Sequence, residues 1–142
     1  SGYLETHRQE YYERLQAVRE RGQLDEYLQF FLVAVRDQAT DAVERARRLV
    51  SMRERYFRDC ELDRSRVAGL IPLIFTSPFL TVARVQQATQ TSDQGARNLI
   101  KRAQKQYGWL TPAGSVGQSG RAVWVAEEIL TVVDSPLHYD TE

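Results

Sequence analysis

Residues 81–125 read TVARVQQATQTSDQGARNLIKRAQKQYGWLTPAGSVGQSGRAVWV, and this stretch decides the fold. It contains two runs with apolar residues at helical spacing, and Thr81 and Ser92 are of the types that cap helices at their N-termini. The inward-facing side chains predicted for the two helices are Val82, Val85 and Ala88 in the first and Ala96, Leu99, Ile100 and Ala103 in the second. The sequence therefore predicts two short helices joined by a tight turn at Gln90 and Thr91.

Two strands are predicted after the second helix. Gly108 ends that helix, and residues 109–111 and 121–125 alternate between apolar and polar side chains, as half-buried strands do. Residues 112–120 between them are rich in glycine and serine and predict a flexible turn. Helix, turn, helix, strand, turn and strand is the order of a winged helix-turn-helix, whose second helix commonly enters the DNA major groove.

The exposed face of the second helix provides the candidate DNA contacts. In protein–DNA complexes arginine pairs with guanine, glutamine or asparagine with adenine, and lysine with phosphate. The predicted DNA-binding residues are Ser92, Asp93, Gln94, Arg97, Asn98, Lys101, Arg102 and, on the last strand, Arg121. Residues 91–125 carry five basic side chains against one acidic side chain, so a modest basic face lies in a chain of zero net charge. A protein-docking role for the same face stays open, because any exposed helix is polar.

The first 62 residues are predicted to form a helical hairpin. Its first helix is predicted over residues 4–21, with Leu4, Tyr11, Leu15 and Val18 on one stripe. Its second helix has apolar residues at steps of seven, Leu28, Val35, Ala42, Leu49 and Tyr56, backed by Phe31, Leu32, Ala39 and Ala46. Steps of seven are typical both of an intrachain seam and of a coiled-coil homodimer, and both interpretations stay open at this point.

The domain boundary is predicted in the polar segment 58–65. It divides the chain into a helical hairpin of residues 1–62 and a winged helix-turn-helix domain of residues 63–142. A core helix begins the second domain, with an apolar face formed by Val67, Leu70, Ile71, Ile74 and Phe75. Pro72 interrupts this helix, so the helix must either kink there or begin late enough for the ring to lie in its first turn. The fold class is mainly α with a small two-stranded wing.

Composition limits the function classes. The chain of 142 residues has no apolar run near the ~18 residues that cross a bilayer, so a cytoplasmic protein without membrane contact is expected. Its single cysteine, Cys60, is expected to be a free thiol of a reducing compartment. The two histidines, His7 and His138, belong to no catalytic or metal-binding motif, so no catalytic residue and no metal site is predicted.

Three segments resemble the carboxy-terminal part of bacterial Fic-family proteins, which transfer AMP, and together they cover nearly the whole chain. The first comprises residues 1–4 (SGYL), 7–12 (HRQEYY) and 15–19 (LQAVR), which resemble the helix that follows the family's catalytic helix. The second comprises Gly22, residues 27–32 (YLQFFL) and Val35, similar to the family's tryptophan-leucine-x-phenylalanine-phenylalanine-leucine segment. The third comprises residues 79–82 (FLTV), Ser92, Ala96, residues 99–100 (LI) and residues 123–130 (VWVAEEIL).

The resemblance implies a parent enzyme that transfers AMP from ATP, with magnesium, to a hydroxyl group of a target protein. The family's loop for this chemistry, His-Pro-Phe-x-Asp-Gly-Asn-Gly-Arg, is absent from the chain. We therefore expect a non-catalytic fragment without a cofactor of its own. The expected partners are duplex DNA, the parent catalytic domain or its target protein, and a second copy of the chain. A protein-interaction or dimerisation module is the alternative to DNA binding.

The same resemblance predicts where the chain departs from its relatives. The family's turn before the second helix usually reads Gly-Val-Ser, whereas Gln90, Thr91 and Ser92 stand here. Gln90 is therefore expected either to adopt the left-handed conformation, at a cost of about 1 kcal/mol, or to shift the turn and with it the angle of the second helix. Residues 112–120 contain no lysine or arginine, so DNA binding is expected to be weak and sensitive to salt. Leu4, Tyr11, Leu15 and Val18 are expected to form an exposed apolar patch, or to be covered by a dimer.

Overall fold

The computed structural model describes residues 2–116 and 120–134, which are mainly helical with one small antiparallel sheet. The helices are α1 (Gly2–Thr6), α2 (Arg8–Arg21), α3 (Leu24–Asp59), α4 (Leu70–Thr76), α5 (Val82–Thr89), α6 (Asp93–Lys105) and α7 (Glu127–Asp134). The strands are β1 (Phe79–Thr81), β2 (Thr111–Val116) and β3 (Arg121–Val125). Among the described residues, no helix combines the length and the apolar character needed to span a bilayer.

The described residues form two compact units, which divide within α3. One unit contains the residues as far as Ala46, and the other is Arg47–Asp134. This division precedes the boundary predicted at residues 62 and 63. The last turns of α3 belong with the second unit because Met52 and Tyr56 are buried in its core, as is Cys60 directly after the helix. The thiol of Cys60 is free, as predicted, and burial raises its pKa.

The first unit has a small core. Tyr3, Phe30 and Ala34 are buried together, with Leu4 and Tyr11 packed against them. The helix predicted over residues 4–21 is interrupted at His7, where φ is −105° and ψ is 31°, so α1 and α2 are separate. Gly22 ends α2 in the left-handed conformation with φ of 68°, which glycine adopts without steric cost.

Of the two interpretations left open for the steps of seven, an intrachain seam is not found for the part of α3 in the first unit. Leu28 is 43% exposed and Val35 is 49% exposed, and Ala42 is exposed as well. The side of α3 that packs within this unit is instead the one that carries Phe30 and Ala34. In the second unit the same series of seven continues to Tyr56, which is 1% exposed. Periodicity therefore located an apolar face of α3 without revealing which part of it is covered.

The second unit has a continuous core. Its aromatic centre is Trp109, whose ring stacks on Tyr56 with centroids 4.9 Å apart and on Tyr107 with centroids 4.5 Å apart. The other fully buried large side chains are Val67, Leu70, Ile71, Ile74, Leu80, Val85, Ile100 and Leu110. Burial of this set is the main driving force for folding of the unit.

Pro72 lies in the first turn of α4. A single turn of 3₁₀ helix, Val67–Gly69, precedes α4, which then begins at Leu70. Pro72 is the third residue of α4, where the backbone N–H that proline lacks would have no helical partner. The second of the two outcomes predicted for this proline is thus confirmed, and no kink is needed.

The sheet has the strand order β1-β3-β2, with both pairs antiparallel. The prediction of strand at residues 109–110 and of turn from residue 112 is wrong, since β2 begins at Thr111 and continues to Val116. A register shift between Pro112 and Ser115 interrupts its pairing with β3. Proline is tolerated there because β2 is an edge strand. β1 was not predicted, because three residues are too few for an alternation to be recognised.

Candidate nucleic-acid interface

The turn between α5 and α6 follows the backbone course that the sequence suggests. Gln90 has φ of 51° and ψ of 45°, the left-handed conformation, which is the first of the two outcomes expected for it. The side chain of Thr81 accepts a hydrogen bond from the Arg84 N–H at 3.4 Å, and the Ser92 hydroxyl accepts one from the Gly95 N–H at 3.1 Å. Both predicted N-caps are therefore confirmed.

Additional contacts hold this turn in place. The Thr89 hydroxyl donates to the Val85 carbonyl at 2.7 Å, and the Arg66 guanidinium donates to the Thr89 carbonyl at 2.8 Å. The prediction that Ala88 faces inward is wrong, because Ala88 is exposed and Thr89 is buried. The buried side of α5 follows the four-residue step from Val85 to Thr89, and Ala88 lies one residue to the side of that step.

The first turn of α6 lies close to the turn that precedes it. A Cβ added to Gly95 would lie 3.1 Å from Thr91 Cβ and 3.3 Å from Ser92 Oγ. These distances are shorter than ordinary contacts, so a larger residue at Gly95 would push the turn away from α6. The angle between α5 and α6 thus depends on a small residue here.

The two sides of α6 differ completely in exposure. Ala96, Leu99, Ile100 and Ala103 are buried, as predicted. All of the predicted DNA-binding residues are exposed, namely Ser92, Asp93, Gln94, Arg97, Asn98, Lys101, Arg102 and Arg121. Exposure makes these side chains available to a ligand, and their contact with DNA stays a prediction.

Four of the exposed side chains of α6 already bind one another. The Asp93 carboxylate accepts from Arg97 Nε at 2.6 Å and from the Arg97 terminal nitrogen at 3.5 Å. The Gln94 amide donates to the Asn98 side-chain oxygen at 3.0 Å. The guanidinium group and the amides that would bond to base edges are thus paired within the helix. A ligand must displace these partners before it can use them.

Arg102 makes a contact that the sequence did not predict. Its Nε lies 2.8 Å from the Asp63 carboxylate, and the Asp63 side chain is only 3% exposed. Asp63 also accepts hydrogen bonds from the Tyr107 hydroxyl at 2.6 Å and from the Ser65 N–H at 2.8 Å. We call this group of Asp63, Arg102 and Tyr107 the Asp63 cluster.

The Asp63 cluster has shifted ionisation. The hydrogen bonds from Tyr107 and Ser65, assisted by the Arg102 charge, lower the pKa of Asp63 to about 2. The same hydrogen bond to Asp63, together with burial, raises the pKa of Tyr107 to about 12. The cluster therefore links α6 to the segment after α3 with a carboxylate that stays ionised at neutral pH. Because Arg102 is paired with Asp63, it is less available to contact a phosphate.

Three basic side chains on this side of the unit have no such partner. Within the described residues, Lys101, Lys105 and Arg121 form no ion pair and no side-chain hydrogen bond, and all three are exposed. Lys105 was counted in the basic face of the sequence but was not among the predicted contacts. Its position one turn after Lys101 is the signal that places both lysines on neighbouring parts of α6.

A second polar contact joins the end of α3 to α7. The Glu128 carboxylate forms an ion pair with Arg55 and accepts a hydrogen bond from the Tyr56 hydroxyl at 2.8 Å. Burial, followed by the contact with Glu128, raises the pKa of Tyr56. This contact thus joins α3 to α7, and the Asp63 cluster joins α6 to the segment after α3.

No group of acidic, histidine or cysteine side chains suited to a metal ion occurs among the described residues. Comparison of the sequence with models of known protein families and with curated proteins found no match to either.

Proposed function

We propose that the second unit contains a winged helix-turn-helix that binds duplex DNA, with α6 in the major groove. The observation that carries the proposal is the two-sided character of α6, whose apolar side is fully buried while its other side presents amides and cations. A helix of 13 residues anchored in this way can enter the groove without losing its own packing. The β2–β3 pair would be the wing beside it.

The number of available cations sets the strength of the proposed binding. Among the described basic side chains of α6 and β3, Lys101, Lys105 and Arg121 are the three that form no ion pair and no side-chain hydrogen bond. Three phosphate contacts predict a slope of about −3 for the logarithm of affinity against the logarithm of salt concentration. The affinity should then fall roughly 40-fold between 50 mM and 200 mM salt.

Fluorescence anisotropy with a labelled duplex of mixed sequence tests this proposal. Lys101→Ala should weaken binding and reduce the magnitude of the salt slope by about 1. Arg58→Ala is the matched control, because Arg58 is an exposed cation of α3. The absence of any binding at 50 mM salt, or equal effects of the two variants, would overturn the proposal.

We also propose that the chain is the carboxy-terminal part of a Fic-family protein and that it transfers no AMP itself. The support is the set of residues quoted above for the resemblance, together with the absence of the family's catalytic loop from the sequence. Incubation of the chain with radiolabelled ATP, magnesium and acceptor protein should give no labelled product. Labelling that exceeds a protein-free control would contradict a non-catalytic role.

A protein-interaction module is the second candidate. The observation that favours it is the exposed apolar side of α3, which has no use in DNA binding. It is also favoured by the pairing of Arg97 with Asp93 and of Arg102 with Asp63, since both arginines are partly neutralised. The two candidates are compatible, because they use different helices.

A further inference from the structure

One side of α3 in the first unit is apolar and exposed along its whole length. Its large side chains are 41% to 64% exposed and are Leu24, Leu28, Phe31, Leu32, Val35 and Val43. Its small side chains are Ala39, Ala42 and Ala46, which are exposed too. We call these nine residues the α3 stripe. Six exposed large apolar side chains on one helix face exceed the scattered apolar residues of an ordinary surface.

We propose that the α3 stripe is a dimerisation surface that binds the α3 stripe of a second copy of this chain in antiparallel orientation. This inference goes beyond the proposed DNA binding and does not depend on it. Positions 28, 32, 35, 39, 42 and 46 are separated by steps of four and three, the spacing of a two-helix seam. The occupant is therefore expected to be a helix that packs along the full stripe.

The order of side-chain sizes along the stripe selects the partner and its direction. The first half contains three leucines, Phe31 and Val35, whereas the second half contains three alanines and a single large side chain, Val43. Helices pack about 8 to 10 Å apart, and the distance depends on the side chains at the contact. In a parallel pair, leucine would meet leucine at one end and alanine would meet alanine at the other, so the two helices would diverge.

An antiparallel pair removes this mismatch. Its layers place Leu28 against Ala46, Leu32 against Ala42 and Val35 against Ala39, with each large side chain facing a small one of the other copy. The distance between the helices is then constant along the seam. A stripe whose second half fits its own first half in three successive layers is self-complementary, which is what a twofold interface requires.

Area and charge are consistent with this pairing. With roughly half of each large side chain exposed, the stripe offers about 500 Å² per chain, and a pair buries about 1,000 Å², the lower limit for a specific interface. Arg36 and Arg45 lie beside the stripe, and they form ion pairs with Asp37 at 2.8 Å and with Asp41 at 2.9 Å. These arginines are neutralised within each copy, so their approach across the seam is tolerated.

Sedimentation velocity of the full chain from 1 to 100 µM tests the association. We expect a concentration-dependent dimer, and Val35→Asn should raise its dissociation constant at least tenfold. Val33→Asn is the matched control, because Val33 is 37% exposed but lies outside the stripe. A wild-type chain that stays monomeric at 100 µM, or equal effects of the two variants, would overturn the proposal. Lys101→Ala should leave the dimer intact, so a failure of DNA binding and a failure of dimerisation are distinguishable.

Ala39→Leu separates a fitted seam from general apolar association. A leucine at this position would meet Val35 of the other copy and force the helices apart, so dimerisation should weaken at least tenfold. Stronger association would contradict the proposed fit, because added apolar surface would then be beneficial. Circular dichroism of each variant checks that its helices are intact.

Disulfide trapping tests the orientation. In a Cys60→Ser background, a mixture of Leu28→Cys and Ala46→Cys chains should form the mixed disulfide faster than either chain bonds to itself. Faster formation of the dimer between two Leu28→Cys chains would indicate a parallel pair and would overturn the antiparallel assignment.

Discussion

Two helices of this protein each leave one face uncovered, and the two faces have opposite chemistry. The exposed side of α6 carries amides, cations and an acid, and its other side is buried in the large core of the second unit. The α3 stripe is apolar, and the core beneath α3 in the first unit is small. A polar face on a filled core is stable in water by itself, whereas an apolar face gains free energy when it is covered. The two faces therefore suit the two proposals, in which α6 binds DNA and the α3 stripe binds a second copy of the chain.

The largest expected effect contrasts one covered leucine with one uncovered leucine. Leu99 on α6 is 7% exposed, and Leu32 in the α3 stripe is 64% exposed. Leu99→Ala should lower the free energy of unfolding by about 3 kcal/mol, because it leaves a cavity in the core. Leu32→Ala should change it by less than about 0.5 kcal/mol in dilute protein. Urea unfolding at 1 µM measures both, and similar losses would invalidate the contrast between the two faces.

The Asp63 cluster should make the second unit sensitive to acid. The pKa of Asp63 in the folded protein is about 2, below its value in the unfolded chain, so the stabilisation is complete above about pH 4 and is lost as the pH falls toward 2. Asp63→Asn should therefore flatten the pH dependence of the unfolding free energy in this range. Asp59→Asn removes an exposed acid of α3 and serves as the control. If Asp63→Asn loses as much stability as the wild type when the pH falls from 4 to 2, the cluster is not the source of the acid sensitivity.

At high pH the second unit should lose the stabilisation by the Asp63 cluster as the pH rises. The pKa of Tyr107 is raised to about 12, so its contribution is complete below about pH 10 and is lost between pH 10 and 12. Tyr107→Phe should remove this alkaline loss, which thermal unfolding at pH 9 and at pH 11 can measure. If the variant keeps the full alkaline loss, another group is responsible.

Asp93→Asn should strengthen the proposed binding of DNA by α6. The change removes a negative charge beside the proposed DNA contacts and releases Arg97 from its bidentate partner. We expect DNA affinity to rise about fivefold at 50 mM salt, with a salt slope steeper by about 1. Glu61→Gln is the control, because Glu61 is an exposed acid outside α6. An equal gain in the control would mean that only the net charge matters.

The smallest expected effect concerns the turn before α6. Gln90 occupies the left-handed region, so Gln90→Gly should stabilise the second unit by about 0.5 kcal/mol. Gln106 is the matched site, with φ of −88° and ψ of −41°, and glycine there should destabilise the unit by a similar amount. Thermal unfolding of both variants measures the difference, and shifts of the same sign would contradict the assigned strain.

Features that depend on neighbouring residues could be predicted from the sequence, and features that depend on contacts between distant residues could not. The buried side of α6, the caps at Thr81 and Ser92 and the left-handed Gln90 all depend on residues within a few positions of one another. On the buried side of α5, Thr89 is covered where Ala88 was predicted. Both residues lie near the same face of the helix, and only the packing of other elements decides which of them is buried. Arg102 pairs with Asp63, 39 positions earlier, and no local pattern predicts such a contact.

The sequence by itself determined where α5 and α6 begin, which side of α6 is apolar and where the turn between the two helices lies. These features follow from local sterics, capping and periodicity. The tertiary structure decided which apolar residues of α3 are covered, that residues 79–81 add a strand to the sheet, and that Asp63 engages an arginine of α6. These outcomes depend on which distant segments of the chain contact one another. Only those contacts decide which apolar side chains are buried and so contribute to the free energy of folding.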